Sequence, residues 1–207
     1  MKKEIYIVRH GETEFNKKHI VQGSGVNSDL NEKGRAQANA FYQAYKDEGF
    51  EVVITSDLVR THQTADGFLK DEIPWDIDPR IQEMNWGVHE GKSSTEAMRA
   101  AYKKMTESWS AGDFDARLED GESAAELAAR LTAFIADLKQ RKEQKIIIFT
   151  HGRTIRCFIT LLKGEHLREM ENKTHHNTGL YKCTYENDAF EFELENDTAH
   201  LAKLEEV

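Results

Sequence analysis

Apolar and β-branched residues concentrate in three short runs, IYIV at 5–8, EVVIT at 51–55 and KIIIFT at 145–150. None alternates with polar residues as a half-exposed strand does. Their length and β-branching predict strands covered on both faces, as in a parallel sheet. Helical spacing fills the intervals. Asn31 stands as a cap ahead of Ala36, Ala40, Phe41 and Ala44, and Ser123-Ala-Ala-Glu126 is a capping-box pattern leading into Leu127, Leu131, Phe134 and Leu138. Ile155, Phe158, Ile159 and Leu162 mark a further helical face that Gly164 ends, and 93–111 reads as a polar-faced helix around Met98, Tyr102 and Met105. Near the C-terminus, LYKCTYEN (180–187) and FEFELEN (190–196) alternate as exposed strands would, with Asn187-Asp188 as their turn. This order predicts a three-layer α/β/α sandwich with a mainly parallel central sheet, and ligands at the carboxyl ends of its strands.

Composition narrows the class. The 207 residues suit one domain spanning 1–207, and 39% hydrophobic with 31% charged residues excludes collagen-like and disordered chains. No apolar stretch is long enough to cross a bilayer, and Arg9-His10 cut the first run too early for a signal-peptide core. Two cysteines make no disulfide framework, so the expected setting is the cytoplasm. A net charge of −9 argues against nucleic acid or a membrane as partner. An anionic ligand would require basic side chains gathered locally.

Two runs end in unusual chemistry. The first leads into Arg9-His10-Gly11-Glu12-Thr13 and the third into Thr150-His151-Gly152-Arg153-Thr154. Each histidine alone reads equally well as a structural residue at a strand end. Together, and with Arg9 adjacent, they point to a site if the two strands are neighbours. Neutral imidazole is a nucleophile, and arginine lowers its proton affinity while matching phosphate oxygens with a planar fork. Glycine admits close backbone approach, and a helix beginning after His151 favours an anion at its N-terminus. A cationic cradle around a nucleophilic imidazole suits phosphoryl transfer.

The segment RHGET resembles the signature of the histidine phosphatase superfamily, in the branch related to cofactor-dependent phosphoglycerate mutase. SDLVRTHQTA at 56–65, IQEMNWGVHEG at 81–91, GES at 121–123 and THG at 150–152 match further motifs of that family in order. The resemblance implies a phosphoglycerate mutase-like fold, with His10 as the phosphorylated nucleophile. It implies that Arg9, Arg60, His151 and Gly152 hold the phosphoryl oxygens, with Asn16 as another donor. Gln22 and Gly23 fall in a segment that borders the family's pocket. Glu83 would protonate the leaving oxygen and then activate water. No metal or cofactor is called for, and the expected partner is a small phosphate monoester met by a monomer or homodimer.

Other readings compete. Arg60 could cap its helix or pair with Asp57, Glu83 could be a solvated loop carboxylate, and Glu90 competes for the acid role. Glu12 is assigned to local structure. His175-His176 reads as an ordinary loop, Cys157 as core, and RKEQK at 141–145 as a solvated helix end or turn. Trp86, Trp109 and Phe114 either line the pocket or pack the core. The family's mutases commonly read E-R-H-Y-G where this chain has Glu83-Met84-Asn85-Trp86-Gly87, and Arg99, Lys103 and Lys104 form its only obvious basic cluster in the substrate-binding region. That difference favours a phosphatase over a mutase, with a non-catalytic phosphate binder as the remaining alternative. QGSGVNSDLNEKG at 22–34 also departs from the family's QG-x-x-D-S-P-L, with one extra residue, Asn27 for aspartate and Asp29 for proline.

Overall fold

Strands β1 (Lys3–Arg9), β2 (Val52–Thr55), β3 (Trp75–Ile77), β4 (Lys145–Thr150), β5 (Leu180–Glu186) and β6 (Ala189–Asp197) form one sheet in the computed structural model, which describes residues 2–204. Their order is β3-β2-β4-β1-β5-β6. The first four strands run parallel, whereas β5 pairs antiparallel with β1 and β6 antiparallel with β5. Around them lie α1 (Glu14–Lys17), α2 (Glu32–Tyr45), α3 (Val59–Lys70), α4 (Glu96–Ala111), α5 (Ala124–Gln140) and α6 (Gly152–Leu162).

The side-chain period of a strand explains the three layers. Ile5 and Ile7 of β1 face one core with Ile146 and Ile148, against Leu127, Leu131 and Phe134 of α5 and Phe158 of α6. Tyr6 and Val8 face the opposite core with Ile147 and Phe149, against Phe41 of α2 and Phe68 of α3. Each fully buried side chain of this kind stabilises the fold by about 1.5–3 kcal/mol, so runs apolar on both faces have no other comparable placement. The helix signals act as expected. Asn31 Oδ1 accepts from Gly34 N at 2.8 Å, Ser123 and Glu126 form the reciprocal capping box, and Gly164 takes a left-handed φ of 65° just past α6.

Three elements differ from the sequence expectation. The strand expected to be exposed at 180–187 is β5, whose Leu180, Tyr181 and Cys183 are buried because it lies between β1 and β6. The alternating pattern describes the edge strand β6 instead. The helix expected from residue 93 begins at Glu96, where Thr95 accepts from Met98 N. Strand β3 is a short exposed edge of three residues, where Trp75 and Ile77 flank Asp76, and it was not among the strands expected from the sequence.

One close approach fixes the loop after β1. A side chain on Gly34 would overlap the Glu12 backbone, and one on Gly11 would reach within 2.5 Å of Gly34 O. The N-terminal turn of α2 therefore rests directly on the Gly11–Glu12 backbone, next to His10.

Candidate active site

Strands β1 and β4 are neighbours in register, with Arg9 opposite Thr150, and His10 N donates to Thr150 O at 2.9 Å. Their C-terminal ends bring the rings of His10 and His151 to a centroid separation of 5.2 Å. Both are buried, at 1% and 0% exposure, so burial is the first cause holding each imidazole well below its ordinary pKa. The guanidinium of Arg60 adds to the depression of both, followed at His10 by Arg9. Neutral imidazole is the stable form of each.

Hydrogen bonds assign their tautomers. His10 Nδ1 lies 2.7 Å from Gly11 O, an acceptor, so Nδ1 carries the hydrogen and Nε2 keeps its lone pair. His151 has the opposite arrangement. Arg60 Nε donates to its Nδ1 at 3.1 Å, and its Nε2 lies 2.7 Å from Ser56 Oγ.

Arg60 enters from the second residue of α3 and is fully buried. Its Nη1 donates to Val26 O at 2.6 Å and its Nη2 to Gly23 O at 3.2 Å. Each terminal nitrogen keeps a second N–H for a ligand. Burial lowers Arg60 to about 10 and Arg9 to about 10, which leaves both charged at neutral pH. Arg9 Nη1 donates to His175 O at 2.8 Å, while its buried Nε has no acceptor among the described residues. A buried guanidinium N–H without an acceptor calls for an anion or a water there.

The altered 22–34 loop is pinned to α3. Asn27 Oδ1 accepts from Val59 N at 2.8 Å, so it caps that helix in place of Leu58, which cannot. Asp29 Oδ1 accepts from Gln63 Nε2 at 2.6 Å. Gln22 Oε1 accepts from Thr13 and Ser28 hydroxyls, and Gly23 passes so close to Glu90 that any side chain would overlap its carboxylate. Asn16 Oδ1 accepts from Thr13 N at 3.2 Å and lies 3.4 Å from Asn177 Nδ2, while its own amide nitrogen donates to nothing among the described residues.

Glu83 sits at the N-terminus of α6 and is 7% exposed. Its Oε2 accepts from Arg153 N at 3.1 Å, and its Oε1 from Met84 N at 3.0 Å and Thr154 N at 3.1 Å. The helix end thus fixes the carboxylate beside His151 without a guanidinium ion pair among the described residues. Gly152 N, the first of α6, is left without a protein acceptor among those residues. Glu90 is engaged differently: its Oε1 accepts from Trp86 N at 2.8 Å, it takes a backbone bond from Gly25, and burial raises its pKa.

The structure thus gathers Arg9, His10, Asn16, Gly23, Arg60, Glu83, His151 and Gly152 at one sheet end. Two contributors, Ser56 and Asn177, carried no assignment in the sequence, and a third, His175, belongs to the pair read there as an ordinary loop. Ser56 fixes the His151 ring, Asn177 donates to His10 O at 3.0 Å, and His175 packs its ring on Gly152 while its carbonyl holds Arg9. Ser56 opens the SDLVRTHQTA segment, which was a usable signal, and the His175-His176 pair was conspicuous in the sequence; nothing marked Asn177. Trp109 and Trp86 are core, Trp86 also bordering a surface cavity, and Phe114 packs against that core.

Comparisons with known proteins bear on the family and the fold. Residues 5–198 match the family model of the histidine phosphatase superfamily, branch 1. A relative from Enterobacter sp. (strain 638), described as "Probable phosphoglycerate mutase GpmB", is 34% identical over 164 residues, covering 78% of this chain and 75% of the relative. The alpha-ribazole phosphatase of Shigella flexneri superposes with a TM-score of 0.82 at 24% identity, covering 94% of this chain and 96% of that one. The phosphoserine phosphatase of Entamoeba histolytica, solved with 3-phosphoglyceric acid, gives a TM-score of 0.82 at 22% identity over 96% and 99% of the two chains. The chain belongs to branch 1 of the histidine phosphatase superfamily.

Proposed function

We propose that this protein is a phosphatase that hydrolyses phosphate monoesters through a phosphohistidine on His10. The observation that carries the reading is the His10 tautomer: with Nδ1–H bound to Gly11 O, the Nε2 lone pair is available as a nucleophile among charged arginines. In the first step the Nε2–phosphorus bond forms and the bond from phosphorus to the leaving oxygen breaks. The free N–H groups of Arg9 and Arg60, the Asn16 amide and Gly152 N receive the phosphoryl oxygens. Glu83 gives a proton to the leaving oxygen. In the second step Glu83 takes a proton from water as that water attacks phosphorus, releasing inorganic phosphate and His10.

His151, expected from the sequence to hold a phosphoryl oxygen itself, serves in this reading through Arg60. Its ring nitrogens are engaged by Arg60 and Ser56, so it aims the guanidinium at the phosphoryl group.

The test is hydrolysis of p-nitrophenyl phosphate together with acid quench. Turnover, an acid-labile phosphoryl group mapped to His10, and inactivity of His10→Ala are the expected results. No turnover of any monoester would leave a phosphate-binding protein instead. The mutase-named relative supports a second reading, phosphoglycerate mutase. It requires exchange between 3- and 2-phosphoglycerate, dependent on 2,3-bisphosphoglycerate and faster than hydrolysis.

A further inference from the structure

Beside the nucleophile, two buried side-chain nitrogens, Arg9 Nε and His175 Nδ1, have no partner among the described residues. Both border one residue: a Cβ built on Gly152 would lie 3.3 Å from Arg9 Nε and 3.1 Å from His175 Nδ1. Gly152 opens α6, and its own N–H has no acceptor among those residues. Arg9 and Gly152 already stand as phosphoryl donors in the reading above. The His175 side chain has no role there; only its carbonyl does, accepting from Arg9 Nη1 at 2.8 Å. A charge on its ring would also count against protonating His10, after burial, Arg60 and Arg9, which places the ring close to the nucleophile.

We propose that His175 is a further catalytic residue, whose Nδ1–H donates to a phosphoryl oxygen beside Arg9 Nε and Gly152 N. This rests on the phosphatase reading above and deepens it by adding a donor to the same site. A buried nitrogen left without a partner is unfavourable, and the oxygens of one phosphoryl group received beside Gly152 give all three an acceptor. The position suits an anion. Burial first, then Arg9, Arg156 and Arg153, lower the His175 pKa to about 3, so the ring is neutral and the potential around it positive. A neutral imidazole carries one hydrogen, and the partners of its nitrogens decide which of them holds it. An anionic oxygen at Nδ1 therefore selects the Nδ1–H form.

Packing alone accounts for less. A ring that only wedged against Gly152 would leave Nδ1 unpaired, and any flat side chain of that size would serve. A lone water at Nδ1 would satisfy the nitrogen and do nothing for the phosphoryl group. Both rivals differ from the proposal in what a substitution at 175 does to turnover.

The test compares the full chain with His175→Ala, His175→Asn and His175→Gln, each of which keeps the carbonyl that holds Arg9. Asparagine carries its amide nitrogen on the carbon that bears Nδ1 in histidine, whereas the glutamine amide reaches the place of Nε2. The readouts are kcat and KM for p-nitrophenyl phosphate, inhibition by orthovanadate as a copy of five-coordinate phosphorus, and the urea midpoint. His175→Ala and His175→Gln should lose about 10²-fold in kcat/KM, mainly through kcat, the lower end for one transition-state donor. Vanadate inhibition should weaken by a similar factor, and His175→Asn should recover most of both. Unchanged kcat/KM in His175→Ala means that Nδ1 meets only water, which overturns the inference and leaves the phosphatase reading standing. Equal losses in all three variants, with a lowered urea midpoint, show that the ring packs rather than donates and also overturn it. If the wild type turns over no monoester, the phosphatase reading falls, and binding of inorganic phosphate decides the contact. It then stands if His175→Ala weakens phosphate binding and His175→Asn does not, and falls otherwise.

Discussion

Arg60 Nε donates to His151 Nδ1 at 3.1 Å, and Ser56 Oγ lies 2.7 Å from Nε2 of the same ring. Arginine only donates, so Nδ1 must accept and Nε2 must carry the hydrogen. The pair forms a strut that holds the Arg60 guanidinium rigidly beside His10. Ser56→Ala removes the acceptor and leaves a buried N–H unpaired, which costs about 1–3 kcal/mol. We expect that loss in urea unfolding, together with a fall in kcat of about tenfold as the strut loosens. Wild-type kcat in a variant that shows the stability loss would separate Ser56 from catalysis.

The two candidate acids are separable by leaving group. Glu83→Gln should slow alkyl phosphate hydrolysis by about 10²–10⁴-fold, the usual worth of general acid–base catalysis. It should slow p-nitrophenyl phosphate much less, because that phenolate departs without a proton. Glu90 is bonded to Trp86 N and packed on Gly23, so Glu90→Gln should disturb Arg60 through the loop and affect both esters alike. If the leaving-group dependence follows Glu90 instead, the two roles exchange.

Burial and the arginines keep His10 and His151 neutral well below the ordinary value of 6.5. The acid limb of kcat/KM assigned to His10 should therefore fall below pH 6.5, since the nucleophile stays unprotonated. The same shifts govern stability. Below pH 6.5 the unfolded chain takes up protons that the folded chain refuses, so folding free energy is fully present above that pH and declines as pH falls. His200, lowered to about 4, and His175, lowered to about 3, extend the decline further into acid, both mainly through burial. Urea unfolding at pH 7.5 and 5.0 should show the loss. A midpoint that is unchanged or higher at pH 5.0 contradicts the buried-neutral assignment.

Gly34→Ala sets two effects against each other. In an unencumbered helix interior the change favours folding by about 0.8–1.0 kcal/mol. Here the added methyl would overlap the Glu12 backbone, which has no flexible end to move. The overlap should win, with net destabilisation of roughly 1–3 kcal/mol and reduced activity, because the displaced backbone joins His10 to Asn16. A stabilised, fully active variant would show that α2 does not brace the nucleophile loop.

Legibility followed the range of the interactions. The runs at 5–8 and 145–150 foretold β1 and β4 because burial on both faces leaves a continuous apolar signature. The caps at Asn31 and Ser123 were readable because a cap spans a few residues along one chain. Strand β5 misled, since its burial comes from neighbours that its own alternation does not reveal. Trp86 and Trp109 were ambiguous for the same reason, and only the packed structure shows both in one core.

By itself the sequence determined the sheet's central strands, the two histidines at their ends, and the order of motifs that marks the family, all of them local patterns or matches along the chain. Tertiary structure alone decided the ring separation of 5.2 Å, the opposite tautomers of the two histidines, and the contributions of His175 and Asn177. Apart from the His10 tautomer, set by the neighbouring Gly11 carbonyl, those properties depend on contacts between residues more than ninety positions apart. Such contacts exist only once the parallel crossover has closed and excluded water from the strand ends.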